Sequence, residues 1–156
     1  MKCLNLGCGY DYIKSNYKEK WINIDINKEF FKADKYINLD DSNLKLPFNE
    51  ASADIICANH ILEHIENIIP LMNECYRILK KNGLMKIIVP VNEGWFADPT
   101  HKRYFNHLTF RYFCDYPFSD SYGITTHFKI LKNEFQDNED GSSEERIFFS
   151  PWTTMI

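Results

Sequence analysis

Five short apolar runs constrain the fold of this chain more than any other feature. They occupy residues 2–6, 21–26, 35–39, 54–58 and 84–90. Most are apolar on both faces, whereas the strands of a sheet with one wet face alternate between apolar and polar residues. Strands of this kind are typical of a parallel sheet that is covered on both sides. The pattern therefore predicts an α/β fold with a mostly parallel sheet.

Two further patterns complete the predicted architecture. Apolar residues recur at helical spacing between Ile65 and Leu79, with Pro70 suited to a first turn and Gly83 to a stop. Near the C-terminus, "FKILKNEF" and "ERIFFS" flank the turn-rich "QDNEDGSSE", which predicts an antiparallel hairpin. A chain of 156 residues can bury one core and has little room for a second. We therefore expect a single domain over residues 1–156.

Charge and cysteine content exclude several classes of protein. The formal net charge of −4 gives no general attraction to nucleic acid or to an anionic membrane. No apolar run approaches the roughly 20 residues of a membrane span. The five cysteines are scattered and form no C-x-x-C pair, which argues against a disulfide framework and against a cysteine zinc site. We expect a cytoplasmic protein with reduced, mostly buried thiols.

Candidate binding residues follow the first three predicted strands, where open parallel sheets bind their ligands. The Gly-x-Gly turn at residues 7–9 would let the backbone approach a ligand closely. Asp25 could accept hydrogen bonds from ribose hydroxyls, or it could be an ordinary turn residue. Asp40 and Asp41 could meet an adenine amino group, or they could serve the local turn. The G-x-G-x-x-G pattern is incomplete because position 12 is Tyr, which argues against a nicotinamide enzyme.

The ordered set of motifs resembles the class I S-adenosylmethionine-dependent methyltransferases. The similarity runs through "LNLGCG", "INIDI", "LDDSNLKLPF", "ADIICANHILEHI" and "YRILKKNGLMKIIVP", over about residues 2–91. It implies a Rossmann-like three-layer sandwich with S-adenosylmethionine as cofactor. The implied cofactor-binding residues are Leu6, Gly7, Cys8 and Gly9 near the methionine part, Asp25 at the ribose, Asp40 or Asp41 beside the adenine, and also Ile26 and Asn59. Asp40 is preferred because it directly follows the alternating Ile37 and Leu39.

The string "HILEH" at residues 60–64 raises the alternative of a zinc site. Two imidazoles and a carboxylate at this spacing can bind zinc when both histidines lie on one helical face. Here His60 directly follows the predicted strand "DIICAN", and the family resemblance places it at the tip of that strand. We therefore expect no metal, with Glu63 and His64 satisfying each other or nearby backbone groups.

Residues 92–126 are rich in aromatic side chains and contain the string "DPTHKRYF". Aromatic and basic residues together could stack on a nucleobase, but they more commonly form an apolar cover. We expect a lid or substrate-binding segment. His101 or His60 could act as general base or orient the acceptor, with Asp98 as a helper, because histidine titrates near neutral pH. Alternatively, His101 only hydrogen-bonds within its loop.

The resemblance implies methyl transfer to an oxygen, nitrogen or carbon acceptor. The sequence does not identify the acceptor. The net charge favours a small molecule over nucleic acid, while the aromatic and basic segment leaves RNA open, and sugars, lipids and protein side chains are open as well. The chain begins almost on its first strand, so the site would be open unless residues 92–126, a second subunit, a partner protein or a large substrate covers it. The alternative is a catalytically silent cofactor-binding or partner subunit with the same fold.

Overall fold

A seven-stranded sheet organises the chain. The structure is a computed structural model that describes residues 1–91, 98–106, 108–115, 117, 119–139 and 141–151. The strands are β1 Lys2–Leu6, β2 Lys20–Asp25, β3 Lys35–Tyr36, β4 Ala53–Asn59, β5 Leu79–Val91, β6 Phe128–Asp137 and β7 Ser143–Pro151, and the helix α1 is Ile68–Ile78. Short 3₁₀ helices occupy Leu62–His64, Thr109–Phe113 and Ser119–Tyr122.

The strand order is β3-β2-β1-β4-β5-β7-β6. Strands β1 to β5 run parallel, while β7 pairs antiparallel with both β5 and β6. The predicted mostly parallel sheet and the predicted C-terminal hairpin are therefore confirmed. Because the parallel strands point the same way, the ends of β1, β2 and β4 meet at one edge, which we call the carboxyl edge.

One face of the sheet carries the main apolar core. Leu4 lies opposite Ile56, which in turn lies opposite Met85, and all three are fully buried. Helix α1 packs on this face with its apolar side, as its helical spacing predicts. Phe105 and Phe110 join the same core, with stacked rings 5.2 Å apart between centroids.

The opposite face is closed by loops where β1 and β2 pair. Asn5 and Asn23 are buried there, and the Asn5 amide donates to Asn23 Oδ1 at 3.0 Å. Asn23 Oδ1 also accepts from the backbone of Ile13, which ties the loop after β1 to the sheet. Within residues 1–91, all of which the structure describes, α1 is the one α-helix. No helix of the described residues is long and apolar enough to cross a membrane.

Two predicted elements differ from the structure at their ends. The third strand covers Lys35–Tyr36 and not residues 35–39, because the Asn38 side chain accepts from the Asp40 amide and turns the chain away. The helix ends at Ile78, and Gly83 lies inside β5 instead of stopping the helix. Glycine fits at position 83 because a Cβ there would lie 2.8 Å from Leu79 Cγ, which is too close.

Candidate functional site at the carboxyl edge

The glycine turn after β1 approaches the segment after β4 very closely. Gly7 and Gly9 have φ angles of +60° and +47°, a conformation that glycine adopts without steric cost. A Cβ on Gly7 would lie 2.4 Å from Ile61 Cγ1, whereas a Cβ on Gly9 would meet nothing within 4 Å. Leu6 and Cys8, beside Gly7, are buried. Gly7 is therefore required by both its conformation and its neighbour.

Asp25 braces this turn from the end of β2. Its Oδ2 accepts from the Gly9 amide at 2.9 Å, and its Oδ1 accepts from the Asn27 amide at 2.9 Å. The residue is 7% exposed. Each carboxylate oxygen has more than one lone pair, so Asp25 can hold the turn and still accept a ligand hydroxyl.

A small cavity lies between the glycine turn and the segment after β4. It has a volume of about 50 Å³ and is lined by Gly7, Asp25, Ile26, Ile37, Leu39, Ile61 and Ile65. Such a volume holds only a few water molecules. Ile61 packs against Gly7, and Ile26 is 63% exposed at the rim. The Ile61 side chain therefore limits the size of the cavity beside Gly7.

Asp40 and Asp41 have different surroundings. Asp40 Oδ1 accepts from the Asn67 amide at 2.7 Å, and its Oδ2 accepts from Lys102 Nζ at 2.6 Å. Desolvation raises the pKa of Asp40, but these donors lower it further, so that the pKa is about 2. Asp41 is exposed and accepts from the Asn43 amide, as an ordinary turn residue does. Asp40 is thus tied to two neighbouring segments, whereas Asp41 belongs to its local turn.

The tip of β4 carries Asn59 and His60. Asn59 Oδ1 is buried and has no hydrogen-bond partner among the described residues. His60 has a φ angle of +49°, with Nδ1 3.4 Å from Glu63 Oε1 and Nε2 3.2 Å from Glu144 Oε1. The Glu63 carboxylate raises the pKa of His60, desolvation lowers it in part, and Glu144 adds to the increase. This arrangement favours the protonated, cationic ring.

The sequence predicts that Glu63 and His64 satisfy each other or nearby backbone groups, but their side chains contact other side chains. Glu63 faces His60, while His64 Nδ1 lies 3.0 Å from Thr100 Oγ1. The ring of His101 lies 4.9 Å from that of His64, between centroids, in an edge-to-face arrangement. The structure thus brings together residues that are 36 positions apart in the chain.

Asp98 lies beside this pair of histidines. Its Oδ1 accepts from the Thr100 hydroxyl at 2.7 Å, and its Oδ2 is 3.9 Å from His101 Nε2. Hydrogen bonds from the side chain and the backbone of Thr100 lower the pKa of Asp98. The predicted trio of His60, His101 and Asp98 therefore divides. His101 and Asp98 are neighbours, while His60 pairs with Glu63 of its own segment and with Glu144 of β7.

The aromatic segment after β5 contributes partly to the core and partly to a second cavity. Phe105, Phe110 and Phe113 are buried. The cavity, of about 430 Å³, is lined by Ile68, Ile69, Arg103, Tyr104, Phe105, Thr109, Tyr112, Phe113, Tyr122 and Ile124. Residues 92–97, His107, 116 and 118 of the predicted lid lie outside the described residues.

Sequence reasoning missed four residues that shape the site. Ile61 covers Gly7, Asn67 and Lys102 bind Asp40, and Glu144 reaches His60 from β7. Position 61 adjoins the recognised His60, so proximity along the chain offered a signal for Ile61. Lys102 likewise adjoins the predicted His101, whereas Glu144 comes from the hairpin and carried no such signal.

The comparisons agree with this geometry. Residues 4–87, more than half of the chain, match the family model of the methyltransferase domain. A solved S-adenosylmethionine-dependent methyltransferase from Archaeoglobus fulgidus is 17% identical, with 96% of this chain and 85% of that chain covered and a TM-score of 0.66. No curated protein matches the chain.

Two further solved structures share the fold. A putative methyltransferase from Bacillus halodurans is 13% identical over 97% of this chain and 93% of that chain, with a TM-score of 0.69. A complex of the Trm112 methyltransferase activator with a putative methyltransferase, from Haloferax volcanii, matches at 13% identity and a TM-score of 0.66. That match covers 97% of this chain and 83% of that chain.

Proposed function

The chain belongs to the class I S-adenosylmethionine-dependent methyltransferase family, and on that premise we propose that it transfers a methyl group to a small-molecule acceptor. The observation that carries the proposal is the cross-braced glycine turn. Gly7 meets Ile61 closely, and Asp25 accepts from the Gly9 amide. The backbone of the glycine turn and the Asp25 carboxylate are thereby held together at the carboxyl ends of the strands, where open parallel sheets bind ligands.

The residues at the carboxyl edge fit the proposed cofactor. Asp25 would accept hydrogen bonds from the ribose, and Asp40, once released by Lys102, from the adenine amino group. Ile26 and Ile61 would flank the adenine ring. The buried Asn59 Oδ1 has no partner among the described residues and suits an ammonium or amide donor on the ligand. Leu6, Gly7, Cys8 and Gly9 would supply the backbone along the methionine part.

Bound S-adenosylmethionine would supply a sulfonium methyl group as the electrophile. The residues of the chain would align the acceptor for an in-line attack and take up its proton where the acceptor requires it. A cationic His60 suits orientation of the acceptor more than removal of its proton. His101, with Asp98 beside it, would orient the acceptor or accept its proton.

Residues 92–126 would serve as a lid or substrate-binding segment within a single domain of residues 1–156. Support comes from the tyrosines and Arg103 that line the cavity of about 430 Å³. The free thiols suit a cytoplasmic protein, because disulfides are rare in a reducing compartment. Burial raises the pKa of Cys57 to about 11 and that of Cys75 to about 12. Thiols of this kind stay reduced and unreactive.

A second candidate is a cofactor-binding subunit that acts with a partner protein or a second copy. The observation that favours it is the exposed apolar rim around the glycine turn, where Tyr10 is 88%, Phe30 71% and Ile26 63% exposed. The Haloferax volcanii neighbour was solved with a methyltransferase activator bound. A partner on this rim would cover a cofactor that the chain itself leaves open.

Calorimetric titration with S-adenosylhomocysteine tests the cofactor site. We expect one saturable site, weakened about tenfold or more by Asp25→Ala, because hydrogen bonds to a charged group contribute about 1.5–3 kcal/mol. Asp120→Ala, an exposed acid on a 3₁₀ helix, is the matched control and should bind as the original chain does. Asp40→Ala compared with Asp41→Ala decides which acid contacts the ligand.

Turnover separates the two candidates. Transfer of a labelled methyl group to any member of a small-molecule panel would support the enzyme. Binding without transfer to any acceptor would favour the partner subunit. An absence of binding at millimolar ligand would overturn both for the isolated chain.

A further inference from the structure

We propose that Glu63, His64 and His101 form a binding site for a divalent transition-metal ion of the zinc type. One potential ligand atom from each residue lies within 4.8 Å of the others. Two atoms bound to a common ion at about 2.0–2.2 Å are at most about 4.4 Å apart, so the side chains would move inward on binding. The trio joins two segments that the sequence keeps far apart, and it does not include the first histidine of the "HILEH" string.

The backbone holds the two segments in contact. The amides of Lys102 and Arg103 both donate to the Glu63 carbonyl, at 2.7 and 3.2 Å. His101 is therefore fixed next to the 3₁₀ helix that carries Glu63 and His64. Because the ligand-bearing segments are already docked, ion binding would require adjustment of side chains and not of the chain path.

The Glu63 carboxylate points independently to a ligand. Glu63 is 1% exposed, and its Oε2 has no hydrogen-bond partner among the described residues. A buried carboxylate oxygen without a partner is costly, so such atoms in native proteins call for a proton, a water or an ion. Its other oxygen, Oε1, faces His60 at 3.4 Å. A metal ion in contact with the carboxylate would satisfy the orphaned oxygen.

Asp98 and Thr100 prepare His64 as a ligand. The Asp98 carboxylate can only accept, so the Thr100 hydroxyl donates its single proton to Asp98 Oδ1 at 2.7 Å. The contact between Thr100 Oγ1 and His64 Nδ1, at 3.0 Å, must then be donated by the ring. Nδ1 carries the proton, which leaves Nε2 with a free lone pair. Metal-binding histidines are commonly oriented through their second nitrogen in this manner.

The donor set selects the metal. Two imidazoles and one carboxylate suit zinc and related first-row ions, whereas magnesium and calcium prefer oxygen ligands. Three protein ligands leave a coordination position open, as in catalytic zinc sites. His60 is not part of the set, because its two ring nitrogens face Glu63 and Glu144. A bound ion would occupy a ring nitrogen of His101, so His101 would hold the ion and would not act as a general base.

Metal titration of the tag-free chain, stripped with a chelator, tests the site without any cofactor. We expect one zinc ion per chain by calorimetry and no saturable binding of magnesium. Cobalt in place of zinc should give an absorption spectrum of nitrogen and oxygen ligands without thiolate charge transfer. This outcome is independent of methyl transfer, so failure here and failure of the proposed function are distinguishable.

Variants identify the ligands. His64→Gln and His101→Gln should each weaken zinc binding more than about tenfold. Loss of a residue that only hydrogen-bonds to a metal ligand already lowers metal affinity by about that factor. His127→Gln is the matched control, because His127 is a half-exposed histidine paired with Asp115 in another part of the chain. It should keep full affinity. His60→Gln should keep a stoichiometry of one ion per chain with weaker affinity, because His60 contacts the ligand Glu63 without being a ligand itself.

Equal zinc affinity in the His64 and His101 variants would overturn the proposal, as would a thiolate spectrum with cobalt. Circular dichroism must show that each variant is folded. If a variant does not fold, X-ray absorption of the zinc-loaded original chain decides, since a shell without two imidazole nitrogens contradicts the assignment. An absence of stoichiometric binding to the original chain also refutes it.

Discussion

The two halves of the carboxyl edge are built in different ways. The glycine half, which we define as Gly7, Gly9, Asp25 and Asp40, takes each residue from the end of its own strand or the turn after it. The histidine half, defined as His60, Glu63, His64 and His101, is assembled by contacts between the segment after β4 and the segments after β5 and in β7. One half follows from strand order, and the other depends on how loops dock.

The largest expected effect lies in the glycine half, at Gly7. Gly7→Ala adds a Cβ that would overlap Ile61 and places alanine at a φ angle of +60°. We expect a loss of about 2–4 kcal/mol in the free energy of unfolding, from overpacking and backbone strain together. Urea denaturation measures the loss, and calorimetry should show little remaining affinity for S-adenosylhomocysteine.

Gly9→Ala is the matched control for this substitution. Its φ angle is +47°, but the added Cβ would meet nothing within 4 Å. We expect about 1–2 kcal/mol from strain alone. Equal losses at the two glycines would show that the contact with Ile61 does not matter.

Lys102 links the two halves, and its effect should depend on pH. Because Asp40 has a pKa of about 2, below its ordinary value, its ionisation stabilises the folded chain above about pH 4 and ceases to do so as the pH falls toward 2. Lys102→Gln should therefore lower the urea midpoint at pH 7, and lower it progressively less below pH 4. Urea midpoints between pH 3 and 7 measure the difference.

The control for Lys102 is Lys132→Gln, which removes an exposed pair with Glu134 on β6. An exposed pair of this kind contributes little, so we expect a loss below about 0.5 kcal/mol. A Lys102→Gln loss that does not change with pH would mean that Lys102 does not act through Asp40.

A smaller effect is expected in the histidine half at Thr100. Thr100→Val keeps the shape but removes the hydroxyl that joins Asp98 to His64. We expect a loss of about 0.5–1 kcal/mol in stability and about tenfold in zinc affinity. Affinity for S-adenosylhomocysteine should stay within about twofold. If Thr100→Val loses affinity for S-adenosylhomocysteine and not for zinc, the two halves do not act independently.

The last prediction concerns the reactivity of the Cys8 thiol in the glycine half and involves no change in stability. Burial, with a further contribution from Asp25, raises the pKa of Cys8 to about 11. Since the thiolate is the reactive form, its labelling at pH 8 should be slower than that of a free cysteine by on the order of a hundredfold. S-adenosylhomocysteine should slow it further and zinc should not. Peptide mapping assigns the label, with Cys8→Ser as the blank.

Sequence patterns predicted the sheet and the position of the glycine turn because both depend on local rules. A run such as "KCLNL" is buried by its own composition, and a positive φ in the turn that follows it favours glycine. Strand ends were less predictable, as at Asn38, whose side chain competes with the ladder. The helix end was wrong because β5 begins immediately at Leu79, where pairing with Ala53 replaces the expected turn.

The sequence by itself determined the parallel sheet, the C-terminal hairpin, the glycine turn and the candidate acids after the strands. These follow from hydrophobic period, backbone conformation and strand order, which are properties of neighbouring residues. Only the tertiary structure decided that Lys102 holds Asp40, that Glu144 reaches His60, and that His101 meets Glu63 and His64. Such pairings depend on how loops that are distant in the sequence dock on the core, and no local sequence pattern predicts these contacts.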